Sequence, residues 1–160
     1  MPAEAMLKEL QLVLPGPMIA PAGMPLPFAM ARVRGNRVYI AGHGPLTLDG
    51  TLAGPFGKVG ADLTVEQGYA AARQTGLAIL SSVRRAIGDL DRVSAWLRVF
   101  GMVNAAPGFT EMPKVINGFS DLIHEVFGLE IGQHARSAVG LAELPLRIPV
   151  EIEAELEIDG

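Results

Sequence analysis

The sequence predicts an α+β fold: one mixed β-sheet with both long helices packed on the same face. Three observations carry that prediction. The last segment alternates strictly, with Val150, Ile152, Ala154, Leu156 and Ile158 separated by Glu151, Glu153, Glu155 and Glu157. Period two puts every apolar residue on one face and every carboxylate on the other, as in a strand with one buried side. Two longer stretches carry apolar residues at helical spacing. β-branched runs precede, separate and follow them, in the order β-β-α-β-α-β-β.

Each element has a local reason. A short amphipathic helix is predicted near Ala3–Leu12. Ala29–Arg34 and Arg37–Ala41 read as strands, joined at Gly35-Asn36, a dipeptide suited to a tight hairpin with positive φ. Gly42 to Gly60 is rich in Gly and Pro and predicts a long loop with a short strand near Thr51-Leu52. Thr64-Val65-Glu66-Gln67 has the form of a capping box. The helix it opens sets Val65, Tyr69, Ala72, Gly76, Ile79, Leu80, Val83 and Ile87 on one stripe and stops at Gly88. Val93–Val103 reads as a buried strand, and Pro107-Gly108 as a turn. A second long helix is expected from Glu111 to Phe127, with Pro113 in its first turn and Gly128 at its end. Ser137–Leu141 is a short strand.

The 160 residues suit one domain, and 49% hydrophobic against 19% charged content excludes a disordered chain. No cysteine is present, which removes disulfide scaffolds, thiolate zinc sites and cysteine nucleophiles. A net charge of −4 argues against a broad nucleic-acid or anionic-membrane surface. So much apolar content implies apolar surface buried between subunits. No charge occurs from Gln11 to Ala31, but Pro15, Pro17, Pro21, Pro25 and Pro27 rule out a membrane helix there. Residues 1–28 are therefore a helix followed by an extended apolar arm, lying on the domain or on a neighbour, and 29–160 form the α+β domain. The absence of a targeting signal makes cytoplasm the expected location.

Several motifs read as structural. Gly57-Lys58 fails as a phosphate loop, because Leu52 stands where the first glycine is needed and Val59 replaces Ser/Thr. His43, His124 and His134 lack metal-ligand spacing, so no metal is expected, and His124 reads as a helix-surface residue. Ser81, Ser82, Ser120 and Ser137 stand in no G-x-S-x-G elbow. The glutamate face is ordinarily solvated, yet one carboxyl facing a subunit cleft would have a raised pKa and acid–base competence. Arg136, leading into an apolar strand, needs a partner: an ion pair, or a carboxylate that its planar guanidinium clamps.

His134-Ala-Arg-Ser-Ala-Val-Gly140, Leu144-Pro145 and Val150-Glu-Ile-Glu-Ala154 together resemble the C-terminal signature of the Rid family. These are the reactive-intermediate deaminases, also called YjgF-like proteins, some of them labelled L-PSP endoribonucleases. Tyr39-Ile-Ala-Gly-His-Gly-Pro45, Leu63–Gln67 and Gly88–Val93 match as well, so the resemblance runs from about Phe28 to Ile158. Lys114-Val-Ile-Asn-Gly118, Ser120-Asp-Leu122 and His134–Ser137 are similar to a divergent branch without a settled activity. The resemblance implies a chorismate-mutase-like single domain assembled as a homotrimer, with three clefts between subunits. It implies that Arg136 binds a substrate carboxylate, that Glu151 activates a water, and that a backbone N–H near Gly42 holds the ligand. The implied reaction hydrolyses 2-imino or enamine acids to keto acids and ammonia without a cofactor. The implied partners are the chain itself and a small carboxylate metabolite, with neither nucleic acid nor membrane.

Three positions depart from the family pattern. Ala41 stands where Ser is common, Ala138 where Cys is common, and Phe28 where Tyr is common. Lys58, Asn117 and His134 are the candidates for replacement polar groups. Two readings follow: a deaminase with a more apolar site, or a trimeric carboxylate-binding protein without efficient turnover. A ribonuclease is disfavoured by the acidic balance.

Overall fold

The computed structural model describes residues 1–160. Its elements follow the predicted order: α1 (Ala3–Glu9), β1 (Ala31–Arg34), β2 (Arg37–His43), α2 (Val65–Ile87), β3 (Val93–Asn104), α3 (Met112–Gly132), β4 (Ala135–Leu141) and β5 (Val150–Ile158), with 3₁₀ turns at Leu90–Arg92 and Pro145–Arg147. The five strands form one mixed sheet in the order β1-β2-β5-β3-β4. Only β3 and β4 pair in parallel, because α3 carries the chain back between them.

The alternation in β5 is obeyed residue by residue. Val150, Ile152, Ala154, Leu156 and Ile158 are buried under the helices, while the four glutamates stay half-exposed on the other face. Basic residues of the flanking strands stand in register with that row, Arg37 opposite Glu157 and Arg98 opposite Glu155. Trp96 anchors the helix-side core with its ring edge-on to Phe119 and Phe127.

The capping box at Thr64 forms as predicted: the Gln67 N–H donates to Thr64 Oγ1, and the Thr64 N–H donates to Gln67 Oε1. Helices α2 and α3 approach so closely that a Cβ on Gly118 would lie 2.1 Å from the Tyr69 carbonyl oxygen. Gly128 does interrupt α3, at φ 77° and ψ 170°, but a further helical turn follows it to Gly132. His124 is a correction to the surface reading. It is only partly exposed, its ring lies 5.6 Å from that of His134, and its Nε2 is buried without a partner.

The two long helices cover the sheet, and the short α1 packs against α3 and the 3₁₀ turn at Leu90–Arg92. Ala3 and Leu7 of α1 join the main buried cluster, and Arg84 grips Glu4 through Nε at 3.1 Å and Nη2 at 2.6 Å. The proline-rich segment runs from α1 along the domain's own surface. The Gly16 N–H donates to the Leu48 carbonyl and the Ile19 N–H to the Gly50 carbonyl, each at 2.9 Å. No helix is long and apolar enough to cross a membrane.

Candidate functional site

A bulge in β2 builds the first half of the site. Ile40 pairs with Ala154 and His43 with Ile152, so β2 spends one residue more than β5 over that interval. The extra residue turns His43 inward and leaves Gly42 on the opposite face. His43 is 2% exposed. Its Nδ1–H donates to the Ala41 carbonyl at 2.6 Å, which leaves Nε2 to accept from Ser82 Oγ at 2.8 Å. Arg85 donates to Ser82 and Ser81, and the Ser81 hydroxyl donates to the Pro15 carbonyl. One polar chain thus ties the bulge and the arm to α2. Burial holds the His43 pKa down at about 4, so the ring is neutral at physiological pH.

Gly42 lies against Glu151. A Cβ at Gly42 would fall 2.2 Å from Glu151 Oε2, so only glycine leaves room for this carboxylate. Both border a cavity of about 290 Å³. The arm supplies one wall through Met18, Met24 and Phe28; Leu52, Leu146 and Ile148 supply the other. Glu151 is the single charged side chain in the lining. Burial raises its pKa, with the neighbouring Glu153 charge adding to the effect. A carboxyl with a raised pKa in such a setting can take up a proton and give it back.

Arg136 belongs to the other face of the sheet. It pairs with Val99, whose side chain is in the helix-side core, and Nη1 donates to Asn117 Oδ1 at 2.8 Å and to Ser120 Oγ at 3.1 Å. Nη2 reaches the Pro113 carbonyl at 3.4 Å. The Nε–H and one Nη2 proton have no partner within the chain, leaving part of the guanidinium fork for a ligand. Behind it, the His134 Nδ1–H donates to the Gly132 carbonyl at 2.7 Å, and Nε2 accepts from Ser120 at 2.9 Å. Ser120 therefore links Arg136 to His134, a role that its residue type alone did not reveal.

The sequence candidates accordingly fall into separate groups. Phe28, Gly42 and Glu151 meet at the cavity, with Ala41 beside it in the bulge. Arg136, Asn117 and His134 meet at α3, with Ala138 two residues along the same strand. Lys58 joins neither: its Nζ donates to Asn104 Oδ1 and to the Ala142 carbonyl. In one chain Arg136 is level with Val99 and Ala154, whereas Glu151 is level with Met102. That is two strands across and three residues along, about 14 Å between backbones, on opposite faces. No three carboxylate or imidazole groups converge as a metal site would require.

A family model described as "YjgF/chorismate mutase-like, putative endoribonuclease" matches residues 12–151, which contain the bulge, the cavity and both charged side chains. The chain belongs to this YjgF-like family. Protein TCP17 from Trypanosoma cruzi is 42% identical over 144 residues, covering 86% of this chain and 90% of that protein. Among solved structures, a protein of unknown function from Agrobacterium tumefaciens is 38% identical with a TM-score of 0.86, covering 99% of this chain and 92% of its own. A Shewanella oneidensis protein bearing the endoribonuclease label is 31% identical with a TM-score of 0.87, covering 99% of this chain and 100% of its own. The likeness to both structures therefore takes in α1 and the proline-rich arm as well as the sheet and long helices.

Proposed function

We propose that this YjgF-like chain is the subunit of a homotrimeric deaminase that hydrolyses 2-imino or enamine acids, each site lying between two subunits. The observation that carries the reading is Glu151: a carboxyl with raised pKa, in an apolar cavity, beside a glycine whose missing side chain makes room for it.

The chemistry needs few groups. An iminium carbon is already electrophilic, so holding the acid and one water in line supplies most of the acceleration. Arg136 of one subunit binds the carboxylate through its uncommitted N–H groups. Glu151 of the next takes a proton as water adds to the carbon, giving a carbinolamine. The same carboxyl then protonates the nitrogen; as the C–N bond breaks and the C=O forms, the carboxylate takes the hydroxyl proton and passes it to the departing ammonia, so the keto acid and ammonium leave and the site is restored. No oxidant, metal or cofactor enters the balance.

A second reading is a trimeric binding protein for such acids. It is supported by Ala41, Ala138 and Phe28, and by a cavity lining without a single polar side chain other than Glu151. RNA cleavage draws no support from a net charge of −4 or from a site whose one charged lining group is a carboxylate.

The test generates imines in situ with an amino-acid oxidase and follows ammonia and keto-acid release. Wild type is expected to accelerate release, and Arg136→Ala and Glu151→Ala each to abolish the acceleration while remaining trimeric. No acceleration by wild type across aliphatic and aromatic imines, with ligand-dependent thermal stabilisation retained, favours the binding protein.

A further inference from the structure

We infer that the site selects acids with a large apolar side chain, and that the proline-rich arm and Leu146 are the specificity-determining elements. The inference rests on the reading of Glu151 and Gly42 as the reacting end of the cavity. The volume is the first ground: an apolar cavity of 150 Å³ holds a benzene ring, and the space here is about 290 Å³. It accommodates a branched aliphatic or aromatic group together with the small polar head at Glu151.

The walls are the second ground. Met18, Met24 and Met30 supply unbranched, polarisable side chains that adapt to an irregular apolar guest. Met18 lies between the residues anchored by the backbone bonds at Gly16 and Ile19, just after the Ser81 contact with Pro15, and Met24 follows them, so this wall is anchored at its start.

The third ground is strain. Leu146 has φ 57° and ψ 23°, and Arg147 follows at φ 59°, two successive non-glycine residues in the left-handed region. Such a conformation is costly and persists where the surroundings impose it, which is characteristic of functional sites. The Gly57 N–H bond to the Arg147 carbonyl, and the turn bonds that the Arg147 and Ile148 N–H groups donate to the Leu144 and Pro145 carbonyls, hold it here. The result is a leucine 45% exposed at the cavity rather than buried in the core. Within the chain's own core a leucine here gains little over glycine; an apolar ligand in the cavity gives it a use.

Stable 2-oxo acids, the products of the proposed reaction, are the probes. Calorimetric Kd values are measured for pyruvate, 2-oxobutanoate, 2-oxopentanoate, 4-methyl-2-oxopentanoate and phenylpyruvate on the full-length protein. Affinity is expected to rise by about fourfold per added methylene and to remain high for the aromatic acid. Leu146→Gly is expected to melt no lower than wild type, because strain is relieved, yet to flatten the gradient by about tenfold at its bulky end. Met24→Asp is expected to flatten it too. Affinity that is flat or falls with side-chain size, with turnover intact, overturns the inference alone. A gradient that Leu146→Gly and Met24→Asp leave unchanged also overturns it. A graded affinity without turnover sustains the inference and removes the deaminase reading; no binding across the series overturns the inference, and turnover then decides the deaminase reading separately.

Discussion

At Gly42 the fold requires the absence of a side chain for the sake of its neighbour. The group that an added methyl would strike is the mobile end of Glu151, which can swing away, rather than rigid backbone. Gly42→Ala is therefore expected to fold with little loss of stability while displacing the carboxylate by an ångström or more. Under the deaminase reading this lowers kcat/KM by about a hundredfold, measured with imines generated in situ, with an unchanged circular dichroism spectrum. The Glu151 carboxyl has the opposite linkage to a salt-bridged acid. Its folded-state pKa lies above the ordinary 4.5, so the native state favours the proton. The resulting stabilisation is complete below about pH 4.5 and is lost as pH rises through the raised value. Glu151→Gln, which keeps the shape without the charge, is expected to melt higher than wild type at pH 7 to 8, with the difference vanishing at low pH.

At the scale of elements, the bulge in β2 decides which residues face the site. Without the extra residue His43 would point away from the helices and Gly42 into the core. The buried imidazole holds that geometry only while neutral. Its pKa falls from 6.5 to about 4 on folding. The unfolded chain thus takes up the proton first, and stability present above pH 6.5 is lost as pH falls toward 4. The shift corresponds to about 3 kcal/mol. His43→Gln is expected to lose correspondingly less stability over that window, as read from denaturant titrations at a series of pH values. The elements themselves were largely legible. Alternation identified β5, a capping box fixed the start of α2, and glycine marked the break in α3. The bulge was not legible, because a one-residue register shift depends on a partner strand distant in sequence. The continuation of α3 to Gly132 escaped as well: past the break at Gly128 the last turn folds back so that Gly132 is buried close to Ile123 and His124 of the preceding turns.

At the scale of the whole molecule, Arg136 and Glu151 occupy opposite faces of one sheet. Under the deaminase reading, a substrate that touches both lies between two subunits, as cyclic symmetry permits. Mixing Arg136→Ala and Glu151→Ala, each expected to be inactive alone, after dissociation and reassembly tests this without any knowledge of the substrate's affinity. In a randomly mixed trimer each interface has a half chance of an intact arginine and a half chance of an intact glutamate. About a quarter of the wild-type activity is therefore expected to return. No recovery, with mixed trimers verified by native mass spectrometry, is the result that excludes a shared site.

The sequence by itself determined the fold class, the order of the elements, the buried face of β5 and the identity of the charged candidates. Those follow from local periodicity, capping and turn chemistry, and from a signature concentrated in the C-terminal third. The tertiary structure decided which candidates meet. It grouped Glu151 with Gly42, Phe28 and the arm, and Arg136 with Asn117, Ser120 and His134. It also removed Lys58 to a separate contact with Asn104. These assignments depend on strand order, on the bulge and on which face of the sheet each residue occupies. All three are set by pairing between segments far apart in the chain, where no local pattern records them.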